Sequence, residues 1–432
     1  MPEEAYLTAR TFFHRAGAGN MNASVNKTAE AAGPSDARQI AVAGLVGGGH
    51  FLSHFYVLCL APLLPAMAAD LKVGYAELGL ITTAFFAAAA TVQMPVGMLV
   101  DRFGARRMLF AGVLIVSGAV TLSGLAPSYL AIVGLFLVAG LGNSVFHPCD
   151  YVILSSSVGE KRLGKAFSFH SFCGTAGFAV APFAMAAMAS WFGWRGALVG
   201  AGSAGLVLAV AVLLAQGILR DDTKRKKKEP GQLSRTWHAL MSRRVVGHFI
   251  YFMTSSAATG ALGTFSVVVL IAHYGVSKEL AGAVLTAYLS AAAVGVIIGG
   301  VLADRTKRHD LVLVVTMGGA ALVTAAAASG ALGFWLCAVA LTLAGLAKGV
   351  VMPSRDLMVR QDAPVGLLGA VVAFTTIGFT VGNGSAPAIA GWMVDQGSPL
   401  SVFWLAAVLT FVAIGSVVVA RRGAPDPDAD RK

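Results

Sequence analysis

Long apolar blocks alternate with short polar turns along nearly the whole chain. A helix needs about 20 apolar residues to cross a bilayer, and twelve blocks have roughly this length. They lie at 40–66, 76–100, 108–125, 128–154, 165–190, 195–218, 245–273, 280–303, 311–329, 332–358, 367–394 and 400–420. The pattern predicts an all-α integral membrane protein with 12 transmembrane helices.

The composition agrees with this pattern. The 432-residue chain is 56% hydrophobic and 12% charged, whereas a soluble domain has about 25% charged residues. The four cysteines lie inside apolar blocks and form no C-x-x-C pair, so no disulfide framework is expected. The sequence shows neither a nucleophile–base pair nor a phosphate-binding loop, and we therefore expect no enzymatic activity and no cofactor.

The net charge of +11 is explained by topology, without a nucleic-acid partner. If the N-terminus is cytoplasmic, the Lys and Arg residues fall in cytoplasmic loops or at span ends, except Lys72, Arg195 and Lys278 outside and Lys348 within a span. This asymmetry follows the positive-inside rule and predicts an inner-membrane protein with both termini in the cytoplasm. The basic run at 224–228 anchors this topology, or alternatively contacts anionic membrane lipids.

The segments outside the spans are polar. Residues 1–39 lack the apolar centre of a signal peptide and are predicted to be disordered. Residues 219–244 are predicted to form a basic cytoplasmic linker, and residues 421–432 a cytoplasmic tail. The linker divides the spans into an N-terminal bundle at 40–218 and a C-terminal bundle at 245–420.

The two bundles repeat each other in sequence. Residues 80–102 resemble residues 283–305, and further matching glycines and prolines follow in the same order. Duplicated halves with a binding site at their interface are typical of secondary transporters. The sequence therefore predicts two pseudo-symmetric six-helix bundles.

A charged loop motif follows the second span of each half. The first copy runs from Gly97 to Arg107 and the second from Gly300 to Arg308. Both are similar to the loop signature G-x-L-a-D-r-x-G-r-k of the major facilitator superfamily, and this resemblance covers residues 40–420. It implies a conformational latch for the outward-open state, formed by Gly97, Asp101, Arg102, Arg106, Gly300, Asp304 and Arg305. The alternative is a plain stop-transfer charge cluster.

A narrower resemblance points to one branch of this superfamily. His50, Pro62-Leu63-Leu64-Pro65, Ser144-Val145-Phe146-His147-Pro148 and the segment from Gly164 to Ser171 resemble fosmidomycin-resistance proteins. His54 replaces a residue that is often acidic in that branch. Phe136 stands where proton-coupled drug antiporters carry an arginine. Drug efflux is therefore kept as an alternative function.

Ionisable residues inside spans are expensive and usually functional. The candidate substrate-binding residues are Lys348, Arg355, His54, Asn143 and His147. The candidate proton-coupling residues are His50, His54, Asp150, His170 and His248. They lie on spans one, four, five, seven and ten, and the resemblance implies that spans one, four, seven and ten line a central cavity. Counting 1.5 Å per residue places Arg355 and Asp150 near the inner mouth.

Two of these groups suggest specific chemistry. A lysine at position 348 can hold a carboxylate, phosphate or phosphonate; the alternative is an ion pair with Asp356 or Asp150. Histidines titrate near neutral pH and suit a proton relay, although each one can also be a neutral packing residue. As an alternative, the set His50, His54, His147, Cys149, His170 and Cys173 offers ligands for a transition metal.

The sequence thus predicts a proton-coupled transporter of a small, anionic organic solute that works by alternating access. Its expected partners are the small-molecule substrate, protons and membrane lipids, and the expected state is a monomer. A transition-metal transporter remains the second alternative.

Overall fold

We describe a computed structural model of the chain, covering residues 35–221, 237–364 and 367–421. The helices of the N-terminal half are α1 Asp36–Leu58, α2 Leu64–Leu71, α3 Tyr75–Phe103, α4 Ala105–Leu125, α5 Tyr129–Asn143, α6 Phe146–Ser157 and α7 Glu160–Leu214. Those of the C-terminal half are α8 Arg243–Tyr274, α9 Lys278–Arg305, α10 His309–Ala328, α11 Phe334–Asp362, α12 Leu368–Asp395 and α13 Ser401–Arg421.

The helices match the predicted spans. In the described part of the chain, ten segments are long and apolar enough to cross a membrane. One of them, Arg162–Leu214, contains two spans, and α12 completes a set of twelve. The chain is therefore a multi-pass membrane protein, as the hydropathy pattern predicts.

Two local features divide the long helical stretches. Helix α7 reverses at Gly193, whose φ of 69° and ψ of 172° lie in a region that glycine occupies easily. This corresponds to the predicted turn between spans five and six. The fourth span, predicted as one helix, is split between α5 and α6. Pro148 explains the split, because proline cannot donate to a carbonyl four residues earlier and its ring crowds that carbonyl.

Close helix packing relies on glycine within each half. A methyl group at Gly177 of α7 would lie 2.2 Å from the Phe51 carbonyl oxygen of α1. In the C-terminal half, Gly295 and Gly299 of α9 contact the backbone of α11 in the same way. Small residues let two backbones approach closely inside a membrane, where packing is a main source of association energy.

The termini and linker differ slightly from the prediction. Helix α1 begins at Asp36, four residues before the predicted boundary, because Ser35 accepts a hydrogen bond from the Arg38 backbone N–H and caps the helix. The segment predicted as disordered otherwise lies outside the described residues, as do most of the predicted linker and residues 422–432. Arg243 and Arg244, placed in the linker, belong to α8.

The bundle has two ends, which we name by their residues. The basic face holds the start of α1 and the end of α13, while the opposite face holds the α2–α3 turn and the end of α12. At the opposite face the halves meet, because Asp395 of α12 accepts hydrogen bonds from the backbone N–H groups of Tyr75 at 2.8 Å and Ala76 at 2.7 Å. A carboxylate at a helix N-terminus also complements the helix dipole.

Replacing Asp395 with alanine is expected to open the opposite face. The variant loses two charge-assisted hydrogen bonds that join the halves, and about 1.4 kcal/mol is enough to shift a two-state population roughly tenfold. Spin labels at Lys72→Cys and Gln396→Cys, in a background without the native cysteines, report the separation by double electron–electron resonance. We expect a longer distance to gain population.

The matched control is Asp70→Ala, because Asp70 pairs with Arg195 at 3.2 Å within the N-terminal half. This variant should leave the distance distribution unchanged. An Asp395→Ala distribution identical to that of the unmodified protein would contradict a gating role for the carboxylate.

Candidate functional site

A cavity of about 380 Å³ lies between the two halves. Helices α1, α3 and α7 form its wall on one side, and α8, α9, α11 and α12 form the other. The volume falls within the range of about 300–1,000 Å³ that is usual for small-molecule sites. Its position between duplicated halves is the one predicted from the repeat.

Lys348 lies in the C-terminal wall of the cavity, as expected for a binding residue. Its ammonium donates a hydrogen bond to the Ser255 carbonyl oxygen at 3.0 Å and another to the Thr259 hydroxyl. Both acceptors are neutral, so the predicted alternative of an ion pair with Asp150 or Asp356 is not formed. An ammonium has three donors, and one therefore remains for a ligand.

Arg355 also lines the cavity, two turns further along α11. Its guanidinium pairs with the neighbouring Asp356 carboxylate at 2.7 Å and lies 4.5 Å from the centre of the Phe252 ring. The Asp356 side chain is 61% exposed. The two predicted cationic residues therefore share one wall but differ in charge balance, because only Arg355 has a carboxylate partner among the described residues.

His50 and His54 lie on the N-terminal wall of the cavity. They are one helical turn apart on α1, and their ring centres are 4.5 Å apart. Gly174 of α7 makes room for them, because a methyl group at that position would lie 2.7 Å from the His50 ring. The predicted histidine pair is thus brought to the cavity surface.

Asp150 joins this histidine pair from α6. The carboxylate is fully buried, with Oδ2 3.3 Å from His50 Nδ1 and 3.0 Å from His170 Nε2. The rings of His50 and His170 stack with centres 3.7 Å apart. The helix rise predicts a position near the inner mouth for Asp150. In the structure its carboxylate is buried beneath the cavity wall, since α6 packs against α1 and α7.

The other polar candidates lie around this cluster or away from it. The His147 ring is 4.9 Å from the His50 ring, but His147 is exposed and outside the cavity lining. Asn143 has a buried side-chain oxygen without a hydrogen-bond partner among the described residues. His248 is placed elsewhere, since its Nε2 lies 2.8 Å from the carboxylate of Asp362.

The Asp362 carboxylate is the centre of a separate ion-pair network. Besides His248, it contacts Arg421 at 2.9 Å and Arg244 at 3.4 Å. These groups join the ends of α8, α11 and α13 at the basic face, outside the cavity. The network gives His248 a carboxylate partner at this face, outside the cavity lining, and its proton-coupling role stays a prediction.

The alternative metal set is brought together only in part. The ligand atoms of His50, His54 and His147 lie within 4.8 Å of one another, as do those of His50, Asp150 and His170. Cys149 is fully buried and Cys173 is half-buried. Neither thiol belongs to these groups, so the sulfur part of the predicted set is absent from the described cluster.

The loop motifs lie at the basic face and are not engaged between the halves. Asp101, Arg102, Asp304 and Arg305 are exposed, and a methyl group at Gly97 or Gly300 would meet nothing within 4 Å. Arg106 instead pairs with Asp221 at 3.4 Å inside the N-terminal half. Among the described residues, no hydrogen bond or ion pair of either motif therefore joins the two halves, and the latch role stays a prediction.

Sequence reasoning missed several site residues. Ser255 and Thr259 receive the Lys348 ammonium, and Asn383 lines the same cavity. Ser255 and Thr259 are four residues apart on α8, which places them on one face of that helix. Short polar residues are common inside spans, so this spacing alone does not identify a site. Asp395 was also missed, because it stands at the end of a predicted span, where a charge is ordinary.

Comparison with known proteins finds relatives whose names mention an anion or a drug. A probable L-galactonate transporter of Escherichia coli (strain K12) is 30% identical over 141 residues, 33% of this chain and 31% of that protein. The probable nitrate/nitrite transporter NarK2 of Mycobacterium tuberculosis is 28% identical over 347 residues, 78% of this chain and 84% of the relative. The fosmidomycin resistance protein of Escherichia coli is 24% identical over 278 residues, 63% and 67% of the two chains.

A solved structure shares the fold. The bacterial homolog of the human lysosomal transporter Spinster, in its inward-facing and unoccupied conformation, superimposes with a TM-score of 0.73. It covers 89% of this chain and 96% of its own, at 15% sequence identity. The sequence profile described as Major Facilitator Superfamily matches residues 46–271 and 245–432. With twelve spans in two halves around a central cavity, the chain belongs to the Major Facilitator Superfamily.

Proposed function

We propose that this protein is a proton-coupled secondary transporter of a small organic anion, operating by alternating access in the inner membrane with its termini in the cytoplasm. One observation carries the proposal. The cavity between the halves has the Lys348 ammonium on one wall and a histidine pair backed by Asp150 on the other.

The anion preference rests on the charges of the cavity wall. Lys348 and Arg355 line the cavity, and none of the residues that line it is Asp or Glu. The free-energy cost of burying a charge in such a site is offset when the substrate brings an opposite charge. The relatives named as L-galactonate and nitrate/nitrite transporters also carry the names of anions, which supports this class.

The proton pathway rests on contacts within the N-terminal half. His54 and His50 face the cavity, His50 contacts Asp150, and Asp150 contacts His170. Imidazole gains and loses protons near neutral pH, so a proton from the cavity can pass along these groups. A proton held here adds positive charge to the wall opposite Lys348 and favours a bound anion, which couples the two species.

Alternating access rests on the different contacts at the two faces. At the opposite face Asp395 binds the N-terminus of α3, whereas at the basic face the loop motifs form no hydrogen bond or ion pair between the halves among the described residues. Rocking of the two halves around the cavity would exchange these contacts. In the proposed orientation, the described conformation opens toward the cytoplasm.

Export of an anionic drug is the second candidate. The relative named as a fosmidomycin resistance protein covers 63% of this chain, and a phosphonate would meet the same Lys348 ammonium. The cavity contacts are identical for import and export, so the direction follows from the gradients imposed in an experiment.

The test uses proteoliposomes loaded with the pH-sensitive dye pyranine. Gluconate, benzenesulfonate and methylphosphonate are each added outside at equal pH, with protein-free liposomes as the control. We expect protein-dependent acidification inside with at least one anion. Movement of a radiolabelled anion without any pH change would contradict proton coupling, and the absence of movement for all three anions would contradict anion transport.

A further inference from the structure

The geometry points to a narrower substrate class, which rests on the proposed function: an amphipathic monoanion with one anionic head at Lys348 and an apolar body. Neither the charge number nor the polarity of the substrate follows from superfamily membership. Both can be read from the groups that line the cavity.

The head carries a single charge because, before the coupling proton binds, the described residues that line the cavity include one cation without a carboxylate partner. Lys348 contacts only the neutral oxygens of Ser255 and Thr259 among the described residues. Arg355 already has the Asp356 carboxylate, which accepts from Nε at 2.8 Å and from Nη2 at 2.7 Å. On the other wall, His50 faces the Asp150 carboxylate. A second anionic group would be buried without a free partner, which is costly.

The body is apolar because aromatic rings from several helices surround the cavity. Phe86, Phe178, Phe252, Tyr288 and Phe379 come from α3, α7, α8, α9 and α12 respectively. The Phe178 ring lies 4.3 Å from the His54 ring and extends this surface to the N-terminal wall. Such surfaces bind flat apolar groups by burial and by ring stacking.

Most polar groups of the cavity already form hydrogen bonds within the protein. Ser256 donates to the Phe379 carbonyl at 2.9 Å, Thr259 donates to the Ser255 carbonyl at 2.9 Å, and Asn383 donates to the Phe379 carbonyl at 3.1 Å. A substrate with many hydroxyl groups would lose water and gain few partners here. An apolar body avoids this cost.

The test measures binding of defined probes to the purified full-length protein by isothermal titration calorimetry. Benzenesulfonate is the monoanion with an apolar body, 1,3-benzenedisulfonate the dianion, benzenesulfonamide the neutral analogue, and methanesulfonate and gluconate the monoanions without an apolar body. We expect benzenesulfonate to bind at least about tenfold more tightly than each of the others, since one lost charge or ring contact is worth roughly that factor.

The discriminating variant is Asp356→Asn, which leaves Arg355 without its carboxylate. In this variant the affinity for 1,3-benzenedisulfonate, relative to benzenesulfonate, should rise about tenfold. The matched control is Glu279→Gln, because Glu279 pairs with its neighbour Lys278 at 3.8 Å outside the cavity lining. It should leave both affinities unchanged.

Other outcomes overturn the inference. Equal or tighter binding of the disulfonate by the unmodified protein excludes a single-charge site, and equal binding of methanesulfonate or gluconate excludes an apolar body. If none of the probes binds, the assigned class is wrong. The dye assay then decides separately whether the protein transports other anions with protons, so the two failures are distinguishable.

Discussion

Replacing Lys348 with glutamine is expected to lower the apparent affinity for a transported anion at least about 25-fold, because losing one partner of a hydrogen-bonded charge pair in a desolvated site costs about 2–5 kcal/mol and each 1.4 kcal/mol is tenfold. Glutamine keeps much of the side-chain length and can still bond Ser255 and Thr259. The variant therefore tests the charge while preserving most of the local packing.

The measurement combines two readouts on the same preparation. Uptake of radiolabelled benzenesulfonate into proteoliposomes gives the concentration dependence, and calorimetric titration gives the binding constant. Size-exclusion behaviour and melting temperature should match those of the unmodified protein, because the Lys348 side chain is half-buried at a cavity and forms no ion pair with the described residues of another helix.

Lys278→Gln provides the control for the same chemical change. Lys278 is 41% exposed and pairs only with the adjacent Glu279 among the described residues, so uptake should stay within about twofold, as for most surface substitutions. A Lys348→Gln protein with the affinity and uptake of the unmodified protein would contradict the anion site. Loss of uptake with unchanged binding would instead assign Lys348 to the conformational step.

The spans were readable from the sequence because each must satisfy one strong condition. A membrane-crossing helix has to be apolar over about 20 residues, so the blocks between Asp36 and Arg421 are visible without any tertiary information. The repeat of Asp101-Arg102 as Asp304-Arg305 then fixes the correspondence between halves. The break at Pro148 was less visible, because proline is tolerated in many membrane helices.

Only part of the candidate site could be predicted from the sequence. Lys348 stood out since an isolated ammonium in an apolar block is rare, and the pair His50 and His54 stood out by helical spacing. The contact of His50 with Asp150 depends on how α1, α6 and α7 pack, over a separation of 100 residues in the chain. His248 matches His50 by sequence repeat, yet its partner is Asp362. Equivalent sequence positions therefore have partners on different helices in the two halves.

The charge balance of the cavity was the hardest property to predict from the sequence. The sequence contains Arg355 and Asp356 side by side, but adjacent helical residues do not generally face each other. The structure brings their charged ends together at 2.7 Å by turning the Arg355 guanidinium over Phe252. This contact leaves Lys348 as the cavity-lining Lys or Arg without a carboxylate partner among the described residues, and it is the basis for proposing a monoanion within the predicted class of anionic solutes.

The second large effect is expected for Asp150→Asn, a substitution that separates proton coupling from anion binding. The asparagine fits the same volume but cannot take up a proton from His50 or His170. Pyranine-detected acidification driven by the anion is expected to fall about 100-fold, a typical contribution of a positioned proton-transfer group. Exchange of internal for external radiolabelled anion at equal pH should persist within a few-fold, because Lys348 lies on the other wall.

The pH dependence of anion exchange gives the sharper criterion. In the unmodified protein, exchange should vary with pH, because the cluster of His50, Asp150 and His170 takes up and releases protons. In Asp150→Asn, this variation should flatten, because the carboxylate no longer links His50 to His170. The control is Asp70→Asn, because Asp70 is an exposed carboxylate paired with Arg195, and it should leave the profile unchanged.

An unaltered profile and unaltered acidification in Asp150→Asn would remove this cluster from the proton path. Loss of exchange as well would make Asp150 a structural requirement of the N-terminal half, since a relay residue is needed only when protons move with the anion.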